Sequence, residues 1–533
     1  MILTSRQVIL FLTLPGALRL APAATCESLA GLALPNTVIG IAQVVPGGPF
    51  TPPGSRPLQI AQPFCRVAGS IQPSPDSDIR FEVWMPAAGW NGKLEGVGNG
   101  GFAGEMGYDV MAQVVARGYA VSATDTGHQG GPTDAKWAPG HPEKVIDFGY
   151  RAIHETADKA KAVVRAFYGD GPRRSYFNSC SDGGREALME AQRFPGDYDG
   201  IIAGAPANSW TRLVTKSIWN MQTTLSDPAT YIPAAKLPPI EAATLAACDS
   251  LDGVKDGVIG NPVRCRFDPS TLLCQGPDSD ACLTAPQVAA LKKLYAGPQT
   301  SGGRRVFPGV VPGGAPGFNG WGGWIAGAAP GQSLEMAFGA AFFAYMVYEN
   351  AAWDFKTFQL DRDFKAADEK LARTLNATDP DLQRFRQRGG KLILYHGWSD
   401  AAISPLNTID YYNSVIATMG AKTAGGFVRL FLAPGMQHCI GGPGPDSFGQ
   451  MGAPQNDPQH DINSALERWV EQGVAPAQIV ATKYKTGSNP ASGVVRTRPL
   501  CPYPQVARWK GSGSTDDAAN FVCGVEREAQ RAK

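Results

Sequence analysis

Beyond residue 23 the chain has no apolar run of the roughly 20 residues that a bilayer-crossing helix needs. It has no excess of either charge: 48 Lys and Arg stand against 47 Asp and Glu, a formal net charge of +1. No block of like charge stands out, so neither nucleic acid nor an anionic surface is an expected partner. There is no internal repeat, which excludes a repeat array. Histidine is scarce, with six in the chain, and none belongs to a His/Cys cluster of the kind that binds zinc or copper.

What is present is length, glycine, proline and cysteine. A chain of 533 residues can bury a large core and form more than one structural unit. The 63 Gly and 43 Pro suit a loop-rich extracellular protein better than a helical bundle. Residues 1–23 read as a signal peptide: Arg6 charges the start, residues 8–20 form a short apolar core broken by Pro15, and Ala21-Pro22-Ala23 makes a cleavage site. The mature protein is therefore expected to be secreted or periplasmic. Ten cysteines, an even number, fit that oxidising context. Short spacings pair Cys248 with Cys265, Cys274 with Cys282, and Cys501 with Cys523, while Cys26 with Cys65 ties the N-terminus. Cys180 and Cys439 are left for each other.

Short apolar runs at 93–97, 119–124, 175–178, 200–203, 391–395 and 428–432 read as buried strands. Helical spacing falls between them, at 155–168, 185–193 and 461–472. Strands alternating with helices predict an α/β fold with a mostly parallel sheet. The alternation stops near Asn208 and resumes near Gly389. Residues 24–207 and 389–533 are thus expected to form one core, the second part ending in a stapled, loop-like tail from Cys501. Residues 208–388 are expected to form an inserted lid domain.

Ser181 lies in Ser179-Cys180-Ser181-Asp182-Gly183, between a strand and a helix. That is the strand–elbow–helix setting of a hydrolase nucleophile, with Ser179 replacing the usual first glycine of G-x-S-x-G. A neutral serine needs an adjacent base. His438, after the strand at 428–432, is placed to be that base, and Asp400, in the exit loop of the strand at 391–395, to be the acid that orients it. His396 precedes the acid and reads as a packed neighbour. The cysteines beside Ser181 and His438 would, if bonded, hold nucleophile and base together. The oxyanion hole is expected from the N–H groups of Asp182 and Gly101, the latter in the glycine-rich loop 96–104.

Other readings compete. Gly96, Gly98 and Gly101 spell G-x-G-x-x-G and, with Asp125 further on, match a dinucleotide fingerprint. Cys180 as a thiolate nucleophile is a second rival. Asp249, Asp252 and Asp256 crowd one turn, either as Ca²⁺ ligands or as a solvated acidic turn. Trp321, Trp324, Phe338, Phe342, Phe343, Tyr345 and Tyr348 are either a substrate slot or core, and Trp398, beside Asp400, is expected to touch substrate. Asn376-Ala377-Thr378 is a glycosylation sequon. A hydrolase fold without turnover, serving as a binding protein, is the alternative of another class.

Jointly these motifs resemble the tannase/feruloyl esterase family of serine hydrolases. The resemblance runs through Cys180-Ser181 to Arg185, residues 198–206, 248–259 and 396–400, Pro434 to Gly442, and 498–504. It implies an α/β-hydrolase core with a lid, a Ser181–Asp400–His438 triad and a Cys180–Cys439 bond. It also implies a structural Ca²⁺ on Asp249, Asp252 and Asp256 with the carbonyls of Val254 and Val258. The implied substrates are esters of aromatic acids: hydroxycinnamates, gallates and, in one branch, the terephthalate monoester of ethylene glycol. In that branch a lid arginine is expected to hold the free carboxylate, and residues 321–354 contain neither Arg nor Lys.

Overall fold

The computed structural model describes residues 24–451 and 457–525. The expected signal peptide lies outside the described residues. The core is a nine-stranded sheet. Its strands are β1 (Thr37–Val45), β2 (Phe64–Ile71), β3 (Ile79–Pro86), β4 (Lys93–Val97), β5 (Ala120–Thr124), β6 (Arg174–Cys180), β7 (Gly200–Gly204), β8 (Lys391–Gly397) and β9 (Val428–Ala433). Their spatial order is β1-β2-β3-β5-β4-β6-β7-β8-β9. From β5 onward all neighbours pair in parallel, whereas β1, β2 and β3 pair antiparallel and extend one edge.

The parallel strands are those expected from continuous apolar runs, and β5 and β7 are buried at every position. Burial on both faces by crossover helices removes the polar/apolar alternation. The antiparallel strands were not anticipated. β1, at the solvated edge, alternates in exposure, whereas β3 is buried at every position but Arg80, its Glu82 ion-paired with Arg66 of β2 inside the sheet.

Helices α1 (Tyr108–Ala116), α2 (Ala152–Tyr168), α3 (Asp182–Arg193), α4 (Trp210–Leu225), α5 (Leu334–Ala341), α6 (Leu360–Leu375) and α7 (Ile462–Gln472) are those that position the site. α2 stops at Gly169, whose φ of 82° gives a left-handed cap. α7 starts where the Asp461 side chain accepts the Ser464 N–H at 2.8 Å. Between β7 and β8 the chain leaves the sheet, and α4, packed on α5 and α6, forms the heart of a helical cap over the strand ends.

The five disulfides close as the spacing suggested: Cys26–Cys65, Cys180–Cys439, Cys248–Cys265, Cys274–Cys282 and Cys501–Cys523. The tail corrects an expectation. It is not loop-like after Cys501, because Gln505–Trp509 pairs antiparallel with Phe521–Val525 and the disulfide clips that hairpin to the body. No helix among the described residues is long and apolar enough to cross a membrane.

Candidate active site

Strand β6 delivers Ser181 at φ 67°, ψ −121°, a backbone conformation that L-residues rarely adopt. The turn closes only because its neighbours are small. A Cβ on Gly183 would sit 1.9 Å from Ser179 Oγ, and one on Gly184 would sit 2.3 Å from the Gly204 carbonyl. The Ser181 N–H donates to Gly204 O at 2.9 Å, fixing the elbow to β7. Ser181 Oγ then stands 2.9 Å from His438 Nε2, placed to donate its proton.

On the far side of the imidazole, His438 Nδ1 donates to Asp400 Oδ2 at 2.8 Å. Asp400 Oδ1 accepts the N–H groups of Ala402 and Ile403 at 2.8 and 2.9 Å. His396 is the packed neighbour expected of it: fully buried, with Nε2 3.1 Å from Asp400 Oδ2 and Nδ1 2.7 Å from the Thr408 hydroxyl. Burial pushes the Asp400 carboxyl up, but the charge of His438 and the hydrogen bonds from His396 and His438 outweigh it, and the group ends well below the usual carboxylate range. Asp400 is therefore an anion wherever His438 functions as a base. The Cys180–Cys439 bond, with Cα atoms 6.0 Å apart, ties the residue before Ser181 to the residue after His438. With both sulfurs in a disulfide, the thiolate alternative for Cys180 falls away.

Gly101 borders the cleft beside Ser181 at φ 61°, where a Cβ would lie 2.2 Å from the Pro132 carbonyl. The Asp182 N–H opens α3, where a helix has no internal acceptor for it. The Asp182 side chain points elsewhere, donating nothing and accepting from Arg185 Nε at 2.6 Å. Arg185 is wholly buried, its guanidinium bonded to the carbonyls of Gly149 and Phe148 and lying over the Phe148 ring.

Two features of the site were not anticipated. Asn99, in the Gly101 loop, is gripped by α3: its N–H donates to Glu186 Oε2 at 3.0 Å and its carbonyl accepts the Gly183 N–H at 2.8 Å. Its side-chain amide donates to the carbonyls of Glu105 and Thr124. Glu186 is buried, and burial, reinforced by the Asp182 charge, pushes its carboxyl up to about 8. The same contacts correct the dinucleotide reading. A Cβ on Gly98 would lie 2.3 Å from Glu186 Oε2, and one on Gly96 would lie 2.4 Å from the Tyr198 hydroxyl. These glycines admit protein, not a pyrophosphate. The second feature is a buried ion pair. Lys216 on α4 bonds Glu335 on α5 and also donates to the Ala402 carbonyl at 2.9 Å, coupling the cap to the loop behind Asp400.

The expectation for Trp398 is corrected. It is 4 % exposed and packs in the core, facing Pro434, Arg498 and the turn of Asp252 and Asp256 rather than Ser181. Trp324 and Phe338 line the cleft instead, with the Trp324 ring edge-on to His438 at 5.0 Å. Trp321, Phe342 and Phe343 are core.

The turn after Cys248 places hard oxygen donors close together, and the Cys248–Cys265 bond closes it. Asp249 accepts the N–H groups of Asp256 and Gly257, Asp252 that of Val254, and Asp256 that of Val258. Burial, with a smaller push from the nearby Asp256 charge, raises the Asp252 carboxyl to about 6. Arg496 and Arg498 meet Asp256 from one side. Oxygen donors in this state fit a calcium ion by chemistry. Their carboxylates are not drawn into one tight shell. Among the described residues, Cys274, Asp278 and Cys282 are the trio with atoms that close, and the two sulfurs are bonded to each other.

A mostly parallel sheet, a strained serine at a strand–helix elbow and a histidine–aspartate pair behind it define an α/β-hydrolase. The family model for tannase and feruloyl esterase matches residues 65–524. The chain is 45 % identical, over 94 % of its length and 91 % of the relative's, to an uncharacterised esterase of Xanthomonas campestris. It is 35 % identical, over 95 % and 92 %, to mono(2-hydroxyethyl) terephthalate hydrolase of Piscinibacter sakaiensis. The crystal structure of feruloyl esterase B from Aspergillus oryzae superposes with a TM-score of 0.87 at 31 % identity, covering 94 % of this chain and 99 % of that one. The chain belongs to the tannase and feruloyl esterase family and is a carboxylic ester hydrolase.

Proposed function

We propose that the protein is an exported serine esterase that hydrolyses uncharged esters of aromatic acids. The observation that carries the reading is the 2.9 Å approach of Ser181 Oγ to His438 Nε2 at the floor of an aromatic cleft. His438 takes the Oγ proton as Oγ attacks the ester carbonyl. The N–H groups of Gly101 and Asp182 hold the developing oxyanion. The carbon–oxygen bond to the alcohol breaks, and the alcohol leaves with the proton from His438. Water then gives a proton to His438 and its hydroxide to the acyl carbon. The acid departs, and Ser181 regains its proton.

A terephthalate monoester is the second reading, favoured by the Piscinibacter relative. Against it, no Lys or Arg among the described residues borders the cleft. Lys216, just behind the wall, is already neutralised by Glu335. The test is release of acid from methyl ferulate, methyl gallate and the terephthalate monoester. Wild type is expected to favour the neutral esters, and Ser181→Ala to lose at least roughly 10⁴-fold in kcat. Variant turnover near wild type would remove the serine mechanism, and no turnover of any ester by wild type would leave the non-catalytic alternative.

Calcium belongs to this proposal as a structural ion on Asp249, Asp252 and Asp256 with the carbonyls of Val254 and Val258. It would supply positive charge to a crowded turn far in sequence from Ser181. Chelation is expected to lower the melting temperature without displacing a bound substrate analogue. An unchanged melting temperature would refute the site. Export is supported by five closed disulfides.

A further inference from the structure

The cleft over Ser181 has two lobes, and Trp324 and Phe338 border both. The inner lobe ends on Trp210, Leu213, Val214 and Ile403, all buried. The outer lobe is a cavity of about 490 Å³ walled by Val110, Pro132, Leu334, Phe318 and Met451. Here Phe318 is 73 % exposed and Met451 38 %.

Phe318 does not ride on a loose loop. The carbonyls of Gly314 and Pro316 accept from Gln437 Nε2 at 2.9 and 2.6 Å, and the Asn319 carbonyl accepts the His438 N–H at 3.5 Å. The segment that carries His438 therefore holds an uncovered aromatic ring beside the reaction centre. A fixed, exposed apolar surface continuous with a reactive serine is a surface for binding something apolar.

The order of product release decides which half of the ester lies there. Once Ser181 is acylated, the alcohol must depart while the acid stays. An alcohol in the inner lobe would be trapped behind the acyl group, whereas one in the outer lobe faces solvent. Resting on the esterase reading above, we propose that the outer lobe is the alcohol subsite, that it selects large apolar alcohols over sugars, and that Phe318 is its specificity-determining residue. Two of the amide side chains in this wall have donors already committed within the protein. Gln450 is bonded to Cys439 O, Asp446 O and the Phe448 N–H, and the Asn99 amide to Glu105 O and Thr124 O.

The experiment is kcat/KM for 4-hydroxycinnamate esters of methanol, butanol, hexanol and glucose, in wild type and Phe318→Ser. Burial of each added methylene is expected to raise wild-type kcat/KM by roughly two- to fourfold until the wall is covered. The hexyl-to-methyl ratio is expected to collapse to about twofold in Phe318→Ser, whose exposed position leaves the core intact. A flat series in wild type, a glucose ester preferred to the hexyl ester, or a ratio unchanged in the variant would each overturn the subsite. Turnover with any of these patterns would leave the esterase reading standing. No turnover of any ester would overturn both.

Discussion

Two buried carboxylates flank the reactive serine, and their surroundings drive them in opposite directions. Asp400, behind His438, has two imidazoles and two backbone N–H groups around it and is held ionised. Glu186, beneath the Gly101 loop, has one backbone N–H and the like charge of Asp182, and its carboxyl is pushed up to about 8. The same functional group at similar depth thus has two different uses. An anion is needed where an imidazolium will form. A neutral acceptor suffices where a loop must be held without adding negative charge near a developing oxyanion.

The sharpest way to break this contrast is to neutralise the first carboxylate. Asp400→Asn is expected to lower kcat by roughly 10⁴-fold, about 5.5 kcal/mol, because the amide no longer fixes the imidazole tautomer. Steady-state kinetics on the best ester would read it. A loss under tenfold would mean that another group orients His438. The second carboxylate should give a smaller, different effect. Glu186→Leu frees the Asn99 N–H and loosens the Gly101 loop, with kcat expected to fall by roughly ten- to a hundredfold at little change in KM. Glu186→Gln keeps the acceptor and is expected to recover most of that loss. Equal damage from both variants would mean that Glu186 supports only the fold.

The smallest effect is in pH. The Glu186 carboxyl is raised in the folded protein from an ordinary 4.5 to about 8. The folded state therefore binds the extra proton between these values. Its stabilising contribution is full below about pH 4.5 and is lost as pH rises through about 8. Glu95 and Asp125, each pushed up to about 7 by burial, act in the same direction. Asp400 does the reverse: its contribution is present above its ordinary value of 3.8 and is lost as pH falls below it. Glu186→Gln is thus expected to narrow the drop in melting temperature between pH 6 and pH 8 by roughly 2–4 °C. A drop equal to that of wild type would show that Glu186 is already ionised at pH 6.

The contrast also marks what sequence could reveal. Ser181, Asp400 and His438 were legible because each follows an apolar run, and strand ends in a parallel sheet converge at one edge. The structure brings all three together. Glu186 was not legible, since a glutamate on an amphipathic helix reads as solvated until the loop above it is known. Trp398 was misplaced for a related reason. It lies two residues from Asp400, but just past the end of β8 its N–H still pairs with the Ala433 carbonyl, and its indole packs in the core. β1 escaped because it is a half-exposed edge, and β2 and β3 because the buried Arg66–Glu82 pair interrupts their apolar runs.

The spacing of the reactive pair also sets a schedule for synthesis. Ser181 and His438 are 257 positions apart, and the cap is made between them. A ribosome adding roughly 5–20 residues per second needs on the order of 13–50 seconds to pass from one to the other. For that interval the growing chain carries Ser181 without the imidazole it later meets. The bond that later clasps the pair needs an oxidant. His438 thus meets Ser181 only after all nine strands of the sheet and the cap between them have been made.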